Sequence, residues 1–506
     1  MQSSLIITLK LISVKRTFLF LIACVFAINL CLADEVITEK AATSSHHFGM
    51  KWADKIQWYR LDDPLNTAQD TPSALPDGYR DTSTNNPCET PTNPNKALTL
   101  ADVADASLCN NPQTRAAWAS ARFQAAQLGI AKSAYYPVVT DNISLNANVA
   151  NPQGNRTNPY SNLSNNLVAS YLLYDFGNRD ANLENARQLL QAASATQSSI
   201  VQNVLLNSVQ AYYQVQAQQA ALEAAIESEK ASNESFKSAE ARYKAGVSTP
   251  ADKLQAQTAY AQLTLARISS EGALKIADGA LANVMGLEAN QPLTLATPKP
   301  IDLTNQVLDD VNALIEQARS RRPDLMASEA QAKAAEASIN ASISAAKPTL
   351  SLAFSNNTQD GSQLRANNNA ALGFTVNIPI FQGYAPTYKI RAAQANADVQ
   401  TAQLARLKLQ VSLDVWNNYQ NLKTATQSMT AAEVLVQSAT ESSRVASGRY
   451  KAGVGNIIEK LNAQSALATA KLQSIQASLN FNIARAALAQ AIGILDNAMI
   501  QSLPNN

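Results

Sequence analysis

Histidine and glycine are both scarce in this chain of 506 residues. The two histidines, His46 and His47, are neighbours near the N-terminus, so histidine-based metal binding or triad catalysis has almost no side chains to use. Glycine accounts for only 16 residues and aromatic residues for 6% of the chain, which argues against a turn-rich all-β protein with a bulky aromatic core. We therefore expect a protein that is not an enzyme and that needs neither a metal nor a cofactor.

Charge is also sparse, at 16% of residues, and nearly balanced between 40 basic and 39 acidic side chains. This balance excludes a chain-wide basic surface for nucleic acid. The sequence also lacks a phosphate-binding glycine loop, a zinc-binding spacing and a nucleophile elbow. No catalytic motif remains on which an enzymatic function could rest.

The N-terminus has the pattern of a secretory signal. Basic residues precede an apolar run from Phe18 to Leu32, and the small residue Ala33 precedes acidic ones. The run is shorter than the ~20 residues wanted for a membrane span, which disfavours a retained anchor helix. We expect cleavage after Ala33. A lipoprotein is the alternative, because Leu21–Cys24 has the form of a lipobox and would place a lipid on Cys24.

Removal of residues 1–33 leaves two cysteines, Cys88 and Cys109. In an oxidising compartment, two cysteines at this spacing are expected to form a disulfide, with two free thiols as the alternative.

The chain contains an internal duplication. The hexapeptide Arg242–Val247 recurs letter for letter as Arg449–Val454, 207 residues later. Upstream, Asn111-Pro112 corresponds to Arg322-Pro323, and the proline that ends each intervening segment is also repeated. The separation between matching segments changes by only a few residues, and the segments occur in the same order in both halves. This pattern indicates two copies of one structural unit.

Each copy predicts the same elements: a helix between the two prolines, two strands, a helix of about 65 residues that ends at the hexapeptide, and a closing helix of about 35. A helix of the longer kind would span about 100 Å, which implies a coiled coil or a helical barrel. The two shorter helices could stack end to end beside it. In the closing helix, Leu461, Leu472 and Ile475 follow coiled-coil spacing, as do their counterparts in the first copy.

These patterns divide the chain into six segments. They are a signal peptide at 1–33, a largely extended N-terminal extension at 34–97, a first repeat at 98–290, a connector at 291–322, a second repeat at 323–495 and a tail at 496–506. The first repeat is expected to contain two helices, two strands and a long helix hairpin.

The predicted strands alternate apolar and polar residues. The apolar positions are Val139, Ile143, Leu145, Leu167, Ala169, Tyr171, Leu350, Leu352, Phe354, Leu372, Phe374 and Val376. Period-two segments of this kind are typical of transmembrane β-strands, with two soluble hairpins packed on a core as the alternative. Four strands cannot close a barrel, and hydrocarbon tolerates no open sheet edge. If the strands span a membrane, several copies of the chain must share one barrel.

Aromatic residues gather where the predicted strands meet the helices, which suits an interfacial girdle. They are Tyr135, Tyr136, Tyr174, Phe176, Phe381 and Tyr384.

With its duplicated halves, its two Arg-Tyr-Lys-Ala-Gly turns and its Phe381–Gly383 junction, the chain resembles the TolC family of outer-membrane efflux and secretion channels over residues 98–495. Leu108–Trp118 further resembles the subgroup that serves type I secretion of adenylate cyclase–haemolysin toxins. The resemblance implies a mainly α protomer with membrane β-strands. Three copies would form a homotrimer with a shared outer-membrane β-barrel and a long periplasmic α-helical barrel.

The implied partners are outer-membrane lipid, a periplasmic adaptor and an inner-membrane pump of the ABC or proton-driven type. The channel would conduct passively what the pump delivers. The alternatives are a periplasmic coiled-coil adaptor and a structural coiled-coil protein. Neither explains a duplicated hairpin together with amphipathic strands.

Helix capping accounts for much of each hexapeptide turn. Gly246 and Gly453 are expected as the glycines that follow a helix C-terminus. Thr249 and Asp252 fit a capping box around Pro250, and Asn456 with Glu459 repeats the pattern.

The resemblance adds a second role, because these turns form the gated periplasmic entrance in the family. By spacing from the turn glycine, Tyr450 matches the gate tyrosine, Asp252 the aspartate that ties the gate, and Glu459 the first acidic ring. Two positions depart from the family pattern: Gly455 stands where an arginine is expected and Asn462 where a second acid is expected. We expect a differently built closing network and a mouth that attracts cations through one carboxylate per copy.

Overall fold

A computed structural model describes residues 63–70, 97–148, 160–296, 310–362 and 364–496 of the chain. The expected signal peptide with Cys24, most of the extension with Cys88, and all but the first residue of the expected tail lie outside these ranges. A short 3-10 helix, Thr67–Asp70, belongs to the described part of the extension.

Both halves contain the same six elements in the same order. In the first half these are α1 (Leu100–Asn110), α2 (Pro112–Ser133), β1 (Val138–Asn148), β2 (Tyr160–Tyr174), α3 (Asn178–Lys244) and α4 (Pro250–Val284). In the second half they are α5 (Val311–Arg321), α6 (Pro323–Ser344), β3 (Thr349–Gly361), β4 (Leu364–Asn377), α7 (Ala385–Lys451) and α8 (Ile457–Ala491). The long helices have 67 residues each and the closing helices 35 each, so the predicted helix lengths are confirmed.

Helices α1 and α5 have 11 residues each. The sequence analysis expected two helices before the strands of the first repeat but did not give the bounds of α1, and it missed α5. Thr99 and Asp102 form a capping box at the start of α1, and this Thr-x-x-Asp pattern was the readable signal. Helix α1 buries Leu100 and Val103 in the core around α3. Its counterpart α5 lies within residues 291–322, which the sequence analysis assigned to the connector.

The short helices of each half stack end to end beside the long helix, as expected. The side-chain amide of Asn111, before α2, donates to the carbonyl of Val284 at the end of α4 over 3.1 Å. In the second half the guanidinium of Arg322, before α6, donates to the carbonyl of Ala491 at the end of α8 over 3.4 Å. The two halves therefore make the same junction with different side chains.

The helices pack side by side in two tiers. In one tier, α2, α3, α6 and α7 are successive neighbours, and in the other the order is α4, α3, α8 and α7. Two apolar cores lie where the tiers meet, one around Tyr212 and Leu281 and one around Phe481 and Val415. Among the described residues, no helix combines the length and the hydropathy needed to cross a bilayer.

The four strands form one antiparallel sheet in the order β1-β2-β3-β4. Its register places the predicted apolar residues in common rows, for example Val139, Ala169, Phe354 and Leu372. The rows on the opposite face are richer in polar residues, and one of them has an asparagine on every strand: Asn142, Asn166, Asn357 and Asn369. Phe374, on the apolar face, is 72% exposed, so this face is not packed on a core within the protomer.

Left-handed residues mark both passages from strand to long helix. Phe176 and Gly177 precede α3, while Gly383 and Tyr384 precede α7, all with φ between 54° and 86°. Aromatic rings cluster there, since Tyr174 lies 4.8 Å from Phe176 between ring centroids. This arrangement places the predicted aromatic girdle at the boundary between sheet and helices.

Candidate functional site

The two turns that join the long helices to the closing helices are the candidate site, here called the tip turns (residues 240–253 and 447–460). Both end the long helix with a left-handed glycine, Gly246 at φ 76° and Gly453 at φ 78°. The next amide bonds back into the helix, from Val247 to the carbonyl of Arg242 and from Val454 to that of Arg449, each over 3.0 Å. The predicted glycine caps are thereby confirmed.

Asp252 closes the capping box that starts α4. Its carboxylate accepts from the amide of Thr249 over 3.2 Å and from the hydroxyl of Ser248 over 3.1 Å. The hydrogen bond from the Thr249 amide holds the pKa of Asp252 below its ordinary value. A carboxyl with a lowered pKa stabilises the folded state above its unfolded pKa, and this contribution is lost as the pH falls through the folded pKa.

Glu459 contributes to its own turn in two ways. Its amide donates to the side chain of Asn456, the N-cap of α8, over 2.7 Å. Its carboxylate forms an ion pair with Arg449, the first residue of the repeated hexapeptide, at 2.8 Å. The charge expected to form an acidic ring is therefore partnered by a guanidinium from the same turn.

Tyr450 is only 5% exposed and packs with Ala239, Ala256 and Ile457. The guanidinium of Arg242 lies 4.3 Å from the centroid of its ring and also donates to its carbonyl over 2.8 Å. The ammonium of Lys460 lies 5.1 Å from the same ring centroid. Two cations therefore contact one tyrosine, and Arg242 ties the tip of α3 to the tip of α7.

The three site residues named from the sequence lie in the same region but do not contact one another through hydrogen bonds or ion pairs within the described residues. Asp252 bonds within its capping box, Glu459 pairs with Arg449, and Tyr450 contacts cations. The sequence analysis did not predict that Arg242 and Lys460 contact Tyr450, or that Arg449 pairs with Glu459. Both arginines begin a copy of the repeated hexapeptide, which could have drawn attention to them. Their different partners could not be predicted, because they depend on packing between the halves.

Gly455 packs closely against the end of α7. A Cβ there would lie 3.0 Å from the Cβ of Arg449 and 3.1 Å from the amide nitrogen of Tyr450. A side chain at this position would require its neighbours at the end of α7 to move by a few tenths of an ångström. Arg242, from the other half of the chain, supplies a guanidinium next to Tyr450 instead.

Asn462, the second departure, lines a groove between α7 and α8 close to the tip. The groove has a volume of about 1220 Å³, and its lining includes Glu441, Val445, Ile458 and Glu459. It is open to the surface of the protomer and carries one ion-paired carboxylate from the tip turns.

The remaining predicted site concerns the cysteines. Cys109, in α1, is disulfide-bonded. Its expected partner Cys88 lies outside the described residues, so that pairing stays a prediction.

Comparisons with known proteins come from a family profile, curated sequences and solved structures. The profile described as "Outer membrane efflux protein" matches residues 103–287 and 314–494, one match for each half. The chain is 29% identical over 427 residues to Protein CyaE of Bordetella pertussis, covering 83% of this chain and 89% of the relative. It is 23% identical over 413 residues to Outer membrane protein TolC of Vibrio cholerae, covering 79% and 91%.

A solved structure shows the same fold. The crystal structure of a membrane protein from Pseudomonas aeruginosa superposes with a TM-score of 0.70 at 23% identity, covering 78% of this chain and 93% of that one.

Proposed function

The chain belongs to the outer membrane efflux protein family, the family of TolC, and on this basis we propose that it is the passive exit duct of a tripartite efflux or type I secretion system. Its location in the outer membrane and its role as an efflux or secretion channel follow from the family. The predicted fold, mainly helical with membrane strands, is confirmed.

The observation that carries the proposal is the incomplete sheet. It has an exposed apolar face, and β1 and β4 are its open edges within the described residues. An open edge cannot lie in hydrocarbon, so the sheet becomes a membrane structure only when β1 of one copy pairs with β4 of the next. Together with the family, this supports a homotrimer that shares one β-barrel.

Transport through such a duct needs an energy source outside it, because the sequence has no nucleotide-binding motif. We propose that an inner-membrane pump, ABC or proton-driven, and a periplasmic adaptor deliver the cargo to the tip turns. The match to CyaE supports the subgroup expected from Leu108–Trp118 and favours protein secretion over drug efflux.

The tip turns are proposed as the gate of the duct. Arg242, held on Tyr450, fixes the end of the α3–α4 hairpin to the α7–α8 hairpin. Asp252 and Glu459 fix the start of each closing helix. Combining Tyr450→Phe with Asp252→Ala should raise the conductance in planar bilayers, since it removes a tyrosine hydroxyl and a capping carboxylate at once. Unchanged conductance would leave these residues a capping and packing role only.

Two measurements test the proposed function. Purified protein should produce discrete conductance steps in planar bilayers, which an adaptor or a structural filament would not. Deletion of the gene should remove specific proteins from the culture supernatant if the duct serves secretion, or raise drug sensitivity if it serves efflux. A deletion strain with neither change, together with protein that forms no conductance steps, would contradict the proposal.

A further inference from the structure

The tip turns are unequal in charge. They contain six basic side chains, namely Arg242, Lys244, Lys253, Arg449, Lys451 and Lys460, but only three acidic ones, Glu240, Asp252 and Glu459. The excess is concentrated at the one place where all cargo must enter the proposed duct.

Each of the three acids is already engaged within its own protomer. Glu240 lies 3.5 Å from Lys244 and 3.4 Å from Lys253. Asp252 accepts the hydrogen bonds of its capping box, and Glu459 pairs with Arg449. Within the described residues, this leaves Arg242, Lys451 and Lys460 without a carboxylate at ion-pair distance.

These three cations form one cluster around Tyr450. Arg242 and Lys460 contact its ring, and Lys451 follows it in the chain. Lys460 is only 7% exposed, whereas Lys451 is exposed, so the cluster runs from the interior of the tip to its surface. Burial, followed by repulsion from Lys451 and Arg242, lowers the pKa of Lys460, and Glu234 on α3 only partly opposes this. A buried cation among like charges is costly unless an anion approaches it.

We propose that Arg242, Lys451 and Lys460 form a binding site for the carboxylates of an acidic polypeptide segment at the entrance. This inference rests on the proposed function and names the substrate class that the entrance accepts. A small anion would satisfy one cluster at most. An acidic segment could contact the same cluster on each of several copies around one mouth, which multiplies weak contacts.

A neighbouring copy offers no unengaged carboxylate in its tip turns. Its tip turns bring the same three acids, and each of these is engaged within its own protomer in the same way. An acidic segment of the cargo would supply the carboxylate.

The pairing of Glu459 also changes what its removal should do. Because its carboxylate neutralises Arg449, Glu459→Gln would free a further cation and make the entrance more basic. The entrance is then an attractor of anions, with the acidic residues serving to hold the turns.

The test uses the full chain in planar bilayers, with a decaglutamate peptide added on the side of the tip turns. Decaglutamate should block the current of the wild type, and higher ionic strength should weaken the block. The triple variant Arg242→Gln, Lys451→Gln, Lys460→Met should need about tenfold more peptide for the same block. Lys451→Gln alone changes an exposed side chain and should give an intermediate loss.

A matched control removes three exposed lysines elsewhere on the long helices, through Lys230→Gln, Lys389→Gln and Lys423→Gln. It should be blocked like the wild type. Equal block of wild type and Lys451→Gln, block by decalysine as strong as by decaglutamate, or equal block by citrate would each overturn the inference. Absence of conductance steps in the wild type would instead contradict the proposed function, so the two failures are distinguishable.

Discussion

Two glycines lie where the two helical tiers meet, and the structure explains why each position needs glycine. Gly286 follows α4 at φ 71° and Gly493 follows α8 at φ 77°. A Cβ on Gly286 would lie 2.7 Å from the backbone of Asn110, and one on Gly493 would lie 3.0 Å from that of Arg321. Each glycine therefore allows both the left-handed turn and the close stacking of the short helices.

Gly286→Ala should lower the stability of the protein by about 2 kcal/mol or more. A left-handed alanine costs roughly 1–2 kcal/mol, and the contact with the Asn110 backbone adds to this. The measurement is the apparent melting temperature of the purified protein in detergent.

Gly272→Ala, within α4, is the matched control. Nothing lies within 4 Å of the position its Cβ would take, so alanine should stabilise the helix by up to about 1 kcal/mol. If both variants melt at the same temperature as the wild type, the close contact at Gly286 does not contribute to the stability of the protein.

Residue types that act locally could be identified from the sequence, whereas residue partners could not. The glycine, threonine and asparagine caps of the tip turns follow from neighbours within a few positions. Arg242 and Arg449 begin identical hexapeptides, yet one contacts Tyr450 across 208 residues and the other pairs with Glu459 ten residues away. Local sequence does not determine that choice, because it depends on which hairpin lies beside each turn.

At the scale of elements, the duplicated prolines and glycines predicted the helix lengths, and alternation predicted the strands. The pairing register of the strands could not be predicted from the sequence and is known only from the structure. It shows that the apolar positions of all four strands share one face and that the asparagine row lies on the other. In a membrane barrel, the apolar face must contact lipid and the asparagine face must line the lumen.

Phe374→Lys and Asn369→Lys test this assignment on a single strand. Lysine at Phe374 would face lipid, at a cost of about 2–4 kcal/mol near the bilayer midplane, so we expect less protein in the outer membrane. Lysine at Asn369 would face water in the lumen, so we expect normal amounts in the membrane and a lower conductance for cations.

Quantitative blotting of outer-membrane fractions and bilayer recordings give the two results. Loss of the Asn369→Lys protein from the membrane, with Phe374→Lys unaffected, would reverse the assignment of the faces.

At the scale of the molecule, pseudo-symmetry between the halves explains two apolar stripes that the protomer leaves exposed. Helix α4 exposes Leu265 and Ile276, and α7 exposes Leu413 and Trp416. Their equivalents, 207 residues away, are Leu472, which is 47% exposed, and Ile483, Leu206 and Val209, which are not exposed. Ile483 on α8 packs against the core that contains Val209, and Leu206 packs there beside it.

The contact of α3 with α8 inside the chain therefore has a counterpart that is unfilled within the protomer. In an oligomer, α7 of one copy against α4 of the next would fill it. The stripes themselves can be read from the sequence as helical periodicity. Which of them is covered within the chain could not be read, because that depends on the order α4, α3, α8 and α7 in the tier. A closed ring of copies would repeat one contact geometry at every position.

Trp416→Asp tests this geometry, because Trp416 is 47% exposed in the protomer and would be covered in the ring. A carboxylate there would be buried against the next copy without a partner, so we expect the detergent-solubilised protein to shift from the oligomer to the monomer in native mass spectrometry. The matched control is Val454→Asp, since Val454 is 70% exposed in a tip turn outside the stripe and should leave the oligomer intact. If Trp416→Asp protein remains fully oligomeric, α7 and α4 do not form the contact between copies, and the ring must close through another surface.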